Sequence, residues 1–148
     1  GPAFKALDYE SLTNKQRADE SLLIGDAYYG LIEPLTQIHH YRLDFSMNSK
    51  LLSFWKDSVN EVLKKKLIHK SVLIDLSSEE YSQLLDPESL SITIIRPTFL
   101  NSGKLVSFHA KRARGLMARF LIENPQKKVE DFNLEGYLHV GNYVFTKD

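Results

Sequence analysis

The chain has 148 residues, with 19 Lys and Arg balancing 19 Asp and Glu, and 43% of its residues are apolar. That is one domain's worth of sequence with enough apolar content for a core, and with no net charge any phosphate or nucleic-acid site has to be a local patch. The lack of cysteine excludes disulfides, zinc–thiolate and iron–sulfur ligation and thiol nucleophiles, and fits a reducing compartment.

Gly1-Pro2 reads as a protease-cleavage scar, which leaves 3–148 as the domain, and Ala3-Phe4 directly after it reads as the interior of a longer chain. Ala3–Gln16 has no clean periodicity and holds a short helix at most. Arg17–Tyr29 reads as a helix stopped by Gly30, with Pro34 soon after. Tyr28-Tyr29-Gly30-Leu31-Ile32 fits a plain helix C-cap. It also has the apolar–Gly–apolar look of a helix-hairpin-helix turn, whose amides can hold a DNA phosphate. His39 and the neighbouring His40 point to opposite sides of an extended chain and make a poor metal site. In the segment after them Arg42 and Asp44 alternate with Leu43 and Phe45, so the two charges share a face. They form either a structural ion pair or a phosphate-positioning arginine held by an acid.

Lys50–Leu67 is the most secure helix, capped by Asn48 or Ser49, with a stripe of Leu51, Trp55, Val59, Val62 and Leu63 and with Lys64–Lys66 at its cationic end. Val72–Leu76 reads as a buried strand. Ser77 to Glu80 then makes a capping box for a helix through about Leu85. A strand running into a capped turn is a common ligand position, which singles out Asp75, Ser77, Ser78 and Glu79, unless Ser and Glu simply cap the helix; Ser77, Ser78, Glu79, Tyr81 and Asp44 form a possible pocket.

Ser91–Leu100 and Lys104–Phe108 flank Asn101-Ser102-Gly103 as a hairpin, with Pro97 forcing the first strand to end, bulge or lie at an edge. The next helix, within Val106–Arg119, carries Lys111, Arg112, Arg114 and Arg119. Ala110, Ala113, Leu116, Met117, Phe120 and Leu121 face the core. Lys111, Gly115 and Ala118 lie opposite, an outward strip with almost no side chain, rimmed by cations that could grip an anion bidentately. The alternative is a solvated basic face. Asn124-Pro125 stops this helix, a short helix follows around Lys127–Phe132, and Gly141-Asn142 centres a closing two-residue hairpin. Taken together, the elements give an α/β (α+β mixed) class, one compact domain with a mixed, largely antiparallel sheet and flanking helices. No apolar run approaches the roughly 20 residues of a membrane span. No nucleotide-loop, dinucleotide-fingerprint or serine-hydrolase motif is present. No metal spacing or cofactor motif occurs, so no metal or cofactor is expected.

Six stretches, in order, resemble the peroxide-stress YaaA family of bacterial proteins. They are Tyr29-Gly30 with Pro34 and Tyr41-Arg42-Leu43-Asp44, then Phe54-Trp55, Leu76-Ser77-Ser78-Glu79-Glu80-Tyr81, Lys111-Arg112-Ala113-Arg114-Gly115, Phe132-Asn133-Leu134-Glu135-Gly136-Tyr137 and the closing Val144-Phe145. Lys111–Gly115 is similar to the family's most distinctive signature. The family's N-terminal third has no counterpart here, and the arginine many members carry before the first-block proline is Glu33. The resemblance implies a cytoplasmic protein that limits oxidative damage under peroxide stress, with links to lowered free iron and to DNA binding, and a compact α/β fold with a basic cleft. Under it, Arg42, Lys111, Arg112, Arg114 and Arg119 would make sequence-independent contacts to DNA phosphates. Gly115 would leave room beside them, Tyr29 and Gly30 would lie in the hairpin-like turn, and Tyr28, Tyr29 and Tyr41 could stack on bases. An alternative is an enzyme acting on a nucleobase, nucleotide or other phosphorylated substrate held by the arginines. Direct iron sequestration is the weakest reading, because the chain offers no His or carboxylate cluster at metal spacing.

Overall fold

A computed structural model describes residues 1–39, 42–48 and 50–148. The expectations placed on His40, Tyr41 and Ser49 lie outside the described residues. In chain order the elements are α1 (Pro2–Leu7), α2 (Lys15–Ser21), β1 (Ile24–Asp26), β2 (Gly30–Ile32), α3 (Leu51–Lys66), β3 (Val72–Ile74) and α4 (Glu79–Ser82). They continue with α5 (Pro87–Leu90), β4 (Thr93–Ile95), β5 (Thr98–Asn101), α6 (Ser107–Glu123), β6 (Leu138–His139) and β7 (Val144–Lys147). The fold is α/β, and among the described residues the strands form three small sheets: β1–β2, β3–β4 and β5–β7–β6. By contact the chain divides into two compact units, Gly1–Ala18 with Ile95–Asp148, and Asp19–Ile94.

The unit built from the two separated segments is organised on α6. β5 and β7 run parallel, with Phe99 opposite Phe145, and β6 pairs antiparallel on the other side of β7. Phe99, Phe132, Tyr137 and Phe145 are fully buried there, and the ring of Phe99 lies 5.7, 5.6 and 5.5 Å from the other three. Such contacts add roughly 0.5–1.5 kcal/mol per pair beyond area burial. Ala110, Ala113, Leu116, Met117 and Phe120 of α6 are buried as their spacing predicts, whereas Leu121, expected with them, is only half-buried and Ile122 is buried instead. Pro2, which the sequence alone presents as part of a scar, occupies the first turn of α1, where its missing N–H costs nothing.

Two expected hairpins change form in this unit. Asn101 and Lys104 exchange both backbone hydrogen bonds, at 2.8 and 2.9 Å, around Ser102 and Gly103, whose φ angles are both positive. The turn is therefore present, but Lys104–Phe108 is no second strand, because Val106 already caps α6 and β5 takes β7 as its partner. In the closing hairpin the N–H of Val144 donates to the Gly141 carbonyl, which puts the corners at Asn142 and Tyr143, φ 51° and 58°. The expected Gly141-Asn142 centre is thus displaced by one residue.

The Asp19–Ile94 unit packs α3 over a core of Ala27, Phe45, Val59, Leu63, Leu84 and Leu90. The α3 stripe holds except that Val62 is 41% exposed and Asn60 is buried instead. Asn60 is satisfied: its amide donates to the Lys56 and Leu84 carbonyls and its oxygen accepts from the Asp86 N–H. The cap also differs from expectation, since Lys50 precedes the helix and Asn48 Oδ1 accepts from the Lys50 N–H. The strand expected across Ser91–Leu100 breaks at Pro97 into β4 and β5, which join different sheets, as a residue without an N–H requires of a ladder.

The helix expected over Arg17–Tyr29 ends at Ser21 and gives way to the antiparallel β1–β2 hairpin, with Asp26 paired to Gly30. The Asp26 carboxylate accepts the N–H groups of Tyr28 and Tyr29, at 2.8 and 2.9 Å, and holds the turn. Gly30 is therefore neither a helix C-cap nor part of a helix-hairpin-helix turn. It stands at φ +82° against the face of Trp55.

Candidate functional site

Helix α6 carries the expected cations, and each meets a different environment. Lys111 is exposed near the start of the helix, together with Lys104, Phe108 and His109. The first turn has no acidic residue and its N-cap, Val106, offers no side-chain hydrogen bond. Its amide groups thus remain a partial positive charge facing solvent. Arg112 pairs bidentately with Glu135, Nε at 2.9 Å and Nη2 at 2.5 Å from the two carboxylate oxygens. The Arg112 hydrogen bond and charge hold the Glu135 carboxyl below its usual range, and the carboxylate raises the Arg112 guanidinium in return. Arg114 is half-buried and already engaged within the structure.

Gly115 and Arg119 depart from the outward, anion-facing reading. Gly115 is buried, and a Cβ built on it would lie 1.9 Å from the Ala3 carbonyl oxygen, because α1 packs on this side of α6. Arg119 turns to the end of α1, donating from Nη1 to the carbonyls of Leu7 and Asp8 at 3.0 and 3.1 Å and from Nη2 to Ser11 at 3.4 Å. A cation on the orphan carbonyls of a helix end satisfies them and complements the dipole.

Glu123 completes a line of residues spaced by four, Gly115, Arg119 and Glu123, that all serve the N-terminal segment. Its carboxylate accepts from the Thr13 hydroxyl at 2.5 Å and from the N–H groups of Thr13 and Asn14. Without those bonds, an acid at the C-terminal end of a helix would be unfavourable. The Thr13 hydroxyl first, then the two N–H groups, keep the Glu123 carboxyl below its ordinary 4.5. A depressed folded pKa means stability that is present above the ordinary carboxylate range and is lost as pH falls through the folded value. Glu123→Gln is therefore expected to lower stability at neutral pH, by no more than about 1 kcal/mol because these bonds lie at the solvent-screened surface. Urea midpoints of variant and parent should converge as pH drops below 4.5. A gap that stays constant with pH would show that the charge contributes nothing.

In the other unit, of the residues expected as a pocket, Ser77 and Asp44 each belong to a separate set of carboxylate hydrogen bonds. Asp75, buried just beyond β3, accepts from Ser77 Oγ and Ser82 Oγ, both at 2.6 Å, and from the Ser77 N–H. Ser77 is thus tied to Asp75 and forms no capping box with Glu80. Ser78 holds the N-cap position without a side-chain bond, and Glu79 is exposed. Asp44 caps the turn Phe45–Met47 by accepting from the Ser46 N–H at 3.0 Å, and it also takes the Ser46 hydroxyl. Glu80 accepts from the same N–H at 2.8 Å. Arg42 is exposed. Tyr81 packs edge-on against Phe45, and burial followed by the charges of Glu80, Asp26 and Asp44 raises its hydroxyl. Among the described residues, no group of three or more His, Asp or Glu is placed to hold a metal ion.

Glu135 and Glu123 are the residues that sequence reasoning passes over. The second carries a signal, its spacing of four from Arg119 and eight from Gly115. The first has none beyond its place in the Phe132–Tyr137 stretch.

The model of the family described as "Peroxide stress protein YaaA" matches residues 1–147. The chain belongs to this peroxide-stress family. Two similar proteins, each named "UPF0246 protein", come from Polynucleobacter asymbioticus and Colwellia psychrerythraea. The first is 38% identical over 93% of this chain and 60% of its own length. The second is 36% identical over the whole chain and 63% of its own length. The YaaA-family chain thus spans about three fifths of the length of these relatives. None of its described helices is long and apolar enough to cross a membrane.

Proposed function

We propose that this peroxide-stress family member binds DNA without sequence preference through the N-terminal half of α6, and that doing so limits oxidative damage to the DNA. The observation that carries this reading is the start of α6. Lys104, His109 and Lys111 are exposed around a helix N-terminus that has no acid in its first turn and no side-chain cap. Such an end attracts phosphate through its dipole and free amides, and flanking lysines add point charges that hold the backbone while leaving bases unread. Exposed Phe108 adds a flat apolar face beside them, suited to stacking on an unpaired base. Arg119 and Gly115 are committed to α1, so the phosphate-binding role falls to Lys104, Lys111 and Arg112.

The test is fluorescence anisotropy of a labelled duplex as salt rises. Affinity should fall linearly on logarithmic axes, and replacing Lys104 and Lys111 together by Ala should reduce the slope by about 0.9 for each phosphate no longer neutralised. Affinity indifferent to salt, or a double variant with the parent's slope, would rule out this surface.

A further inference from the structure

Glu135 is an unusual partner for Arg112. It lies within the single turn Leu134–Gly136 with a left-handed backbone, φ +52°, next to Gly136 at φ +85°. For a residue with a Cβ that region is unfavourable by roughly 1–2 kcal/mol. The turn is anchored after it by Tyr137, which is fully buried and donates its hydroxyl to Asn101 Oδ1 at 3.2 Å. The Glu135 carboxylate spans the guanidinium fork, and a second cation, Lys147 of β7, stands beside the same turn, its Cβ 3.9 Å from where a Cβ on Gly136 would lie. The Lys147 ammonium is itself held 4.8 Å over the Tyr137 ring. A fork, a neighbouring ammonium and an anion with two oxygens are the elements of a phosphate site. Here the protein's own carboxylate fills it. The pair is at the surface, the two side chains being 41% and 37% exposed, so an incoming anion can reach it without unfolding anything.

We propose that Glu135 is a built-in competitor for the Arg112–Lys147 anion site, and that a nucleic-acid phosphate enters this site by displacing the Glu135 carboxylate. The proposal rests on the DNA-binding reading above and adds its regulation. Half-exposed ion pairs are weak enough to exchange, so the carboxylate lowers affinity and does not abolish it. It also screens weak anions, which cannot displace it, from polyanions that engage several cations at once.

The experiment uses the full chain as parent, Glu135→Gln, Glu135→Gly and Glu135→Gln with Arg112→Ala. Glu135→Gly suits the left-handed backbone and guards against a folding defect in the glutamine variant. Each is titrated with a labelled duplex, and separately with pyrophosphate while the Arg112 Nε–H resonance is followed. Both single variants should bind the duplex about 3–10 times more tightly than the parent, from the freed cation and the removed repulsion. Adding Arg112→Ala should abolish the increase. Parent and single variants binding the duplex equally would overturn the competitor while leaving DNA binding intact. If no protein binds the duplex, the DNA reading fails, and pyrophosphate decides the rest. A shift of the Arg112 resonance at lower pyrophosphate in Glu135→Gln than in the parent upholds the competitor, and no shift in either overturns it too.

Discussion

Gly115→Ala should unfold at a temperature well below the parent. An alanine Cβ would sit 1.9 Å from the Ala3 carbonyl oxygen and 2.8 Å from its carbon, both backbone atoms of α1 that no rotamer change can clear. Either α1 lifts from α6 or α6 bends, and overpacking of this kind costs about 1–3 kcal/mol or more. For a chain of this size that corresponds to roughly 3–10 °C in Tm. The sign is what makes the test sharp. On an exposed helix face, the same change would remove the glycine penalty and stabilise by about 1 kcal/mol. Thermal unfolding of the variant separates a groove for α1 from an open strip beside the cations. A raised Tm would mean that α1 does not pack there.

Gly30→Ala is expected to be of similar size for a different combination of reasons. The backbone at φ +82° is one that residues with a Cβ avoid, and the added carbon would meet Trp55 Cε3 at 2.6 Å. The indole cannot turn aside freely, because its Nε1 donates to the Ala27 carbonyl at 2.8 Å, within the same hairpin turn. Relief would therefore cost either that hydrogen bond or the packing of α3 on β2. Backbone strain of about 1–2 kcal/mol adds to the overpacking term of about 1–3 kcal/mol. Urea unfolding followed by Trp55 fluorescence, the chain's one tryptophan, reports stability and local environment together. A variant with the parent's midpoint and emission maximum would show that the hairpin does not hold Gly30 against the ring.

What is legible in the sequence follows from range. The α3 stripe, the core face of α6 and the break at Pro97 depend on a few adjacent residues, and all three are found, apart from Val62 in the first and Leu121 in the second. The β1–β2 hairpin reads as helix because Leu22 and Leu23 suit either period. Its actual signal is Asp26, two and three residues ahead of the N–H groups it captures. The Ser77 capping box fails for a similar reason, since the nearer carboxylate of Asp75 takes the hydroxyl first. The fate of the α6 cations is least legible. Arg112 finds Glu135 across 23 positions and Arg119 finds Leu7 across 112. A helical wheel drawn for α6 alone shows a second face free of bulky groups, and only the arrival of α1 reveals that face as buried.

The order of the three-stranded sheet bears on how the protein is made. β7 lies between β5 and β6 yet follows both in the chain. On a ribosome, β5 and β6 therefore emerge with no partner, their hydrogen-bonding edges unpaired until the segment that joins them has been synthesised. Unpaired edges of that kind invite association with other chains. The Asp19–Ile94 unit, whose residues are contiguous, has all of its parts in hand well before then. The groups of β5 that face β7 in the folded sheet thus wait from the synthesis of Asn101 until that of Val144 for the strand that pairs with them.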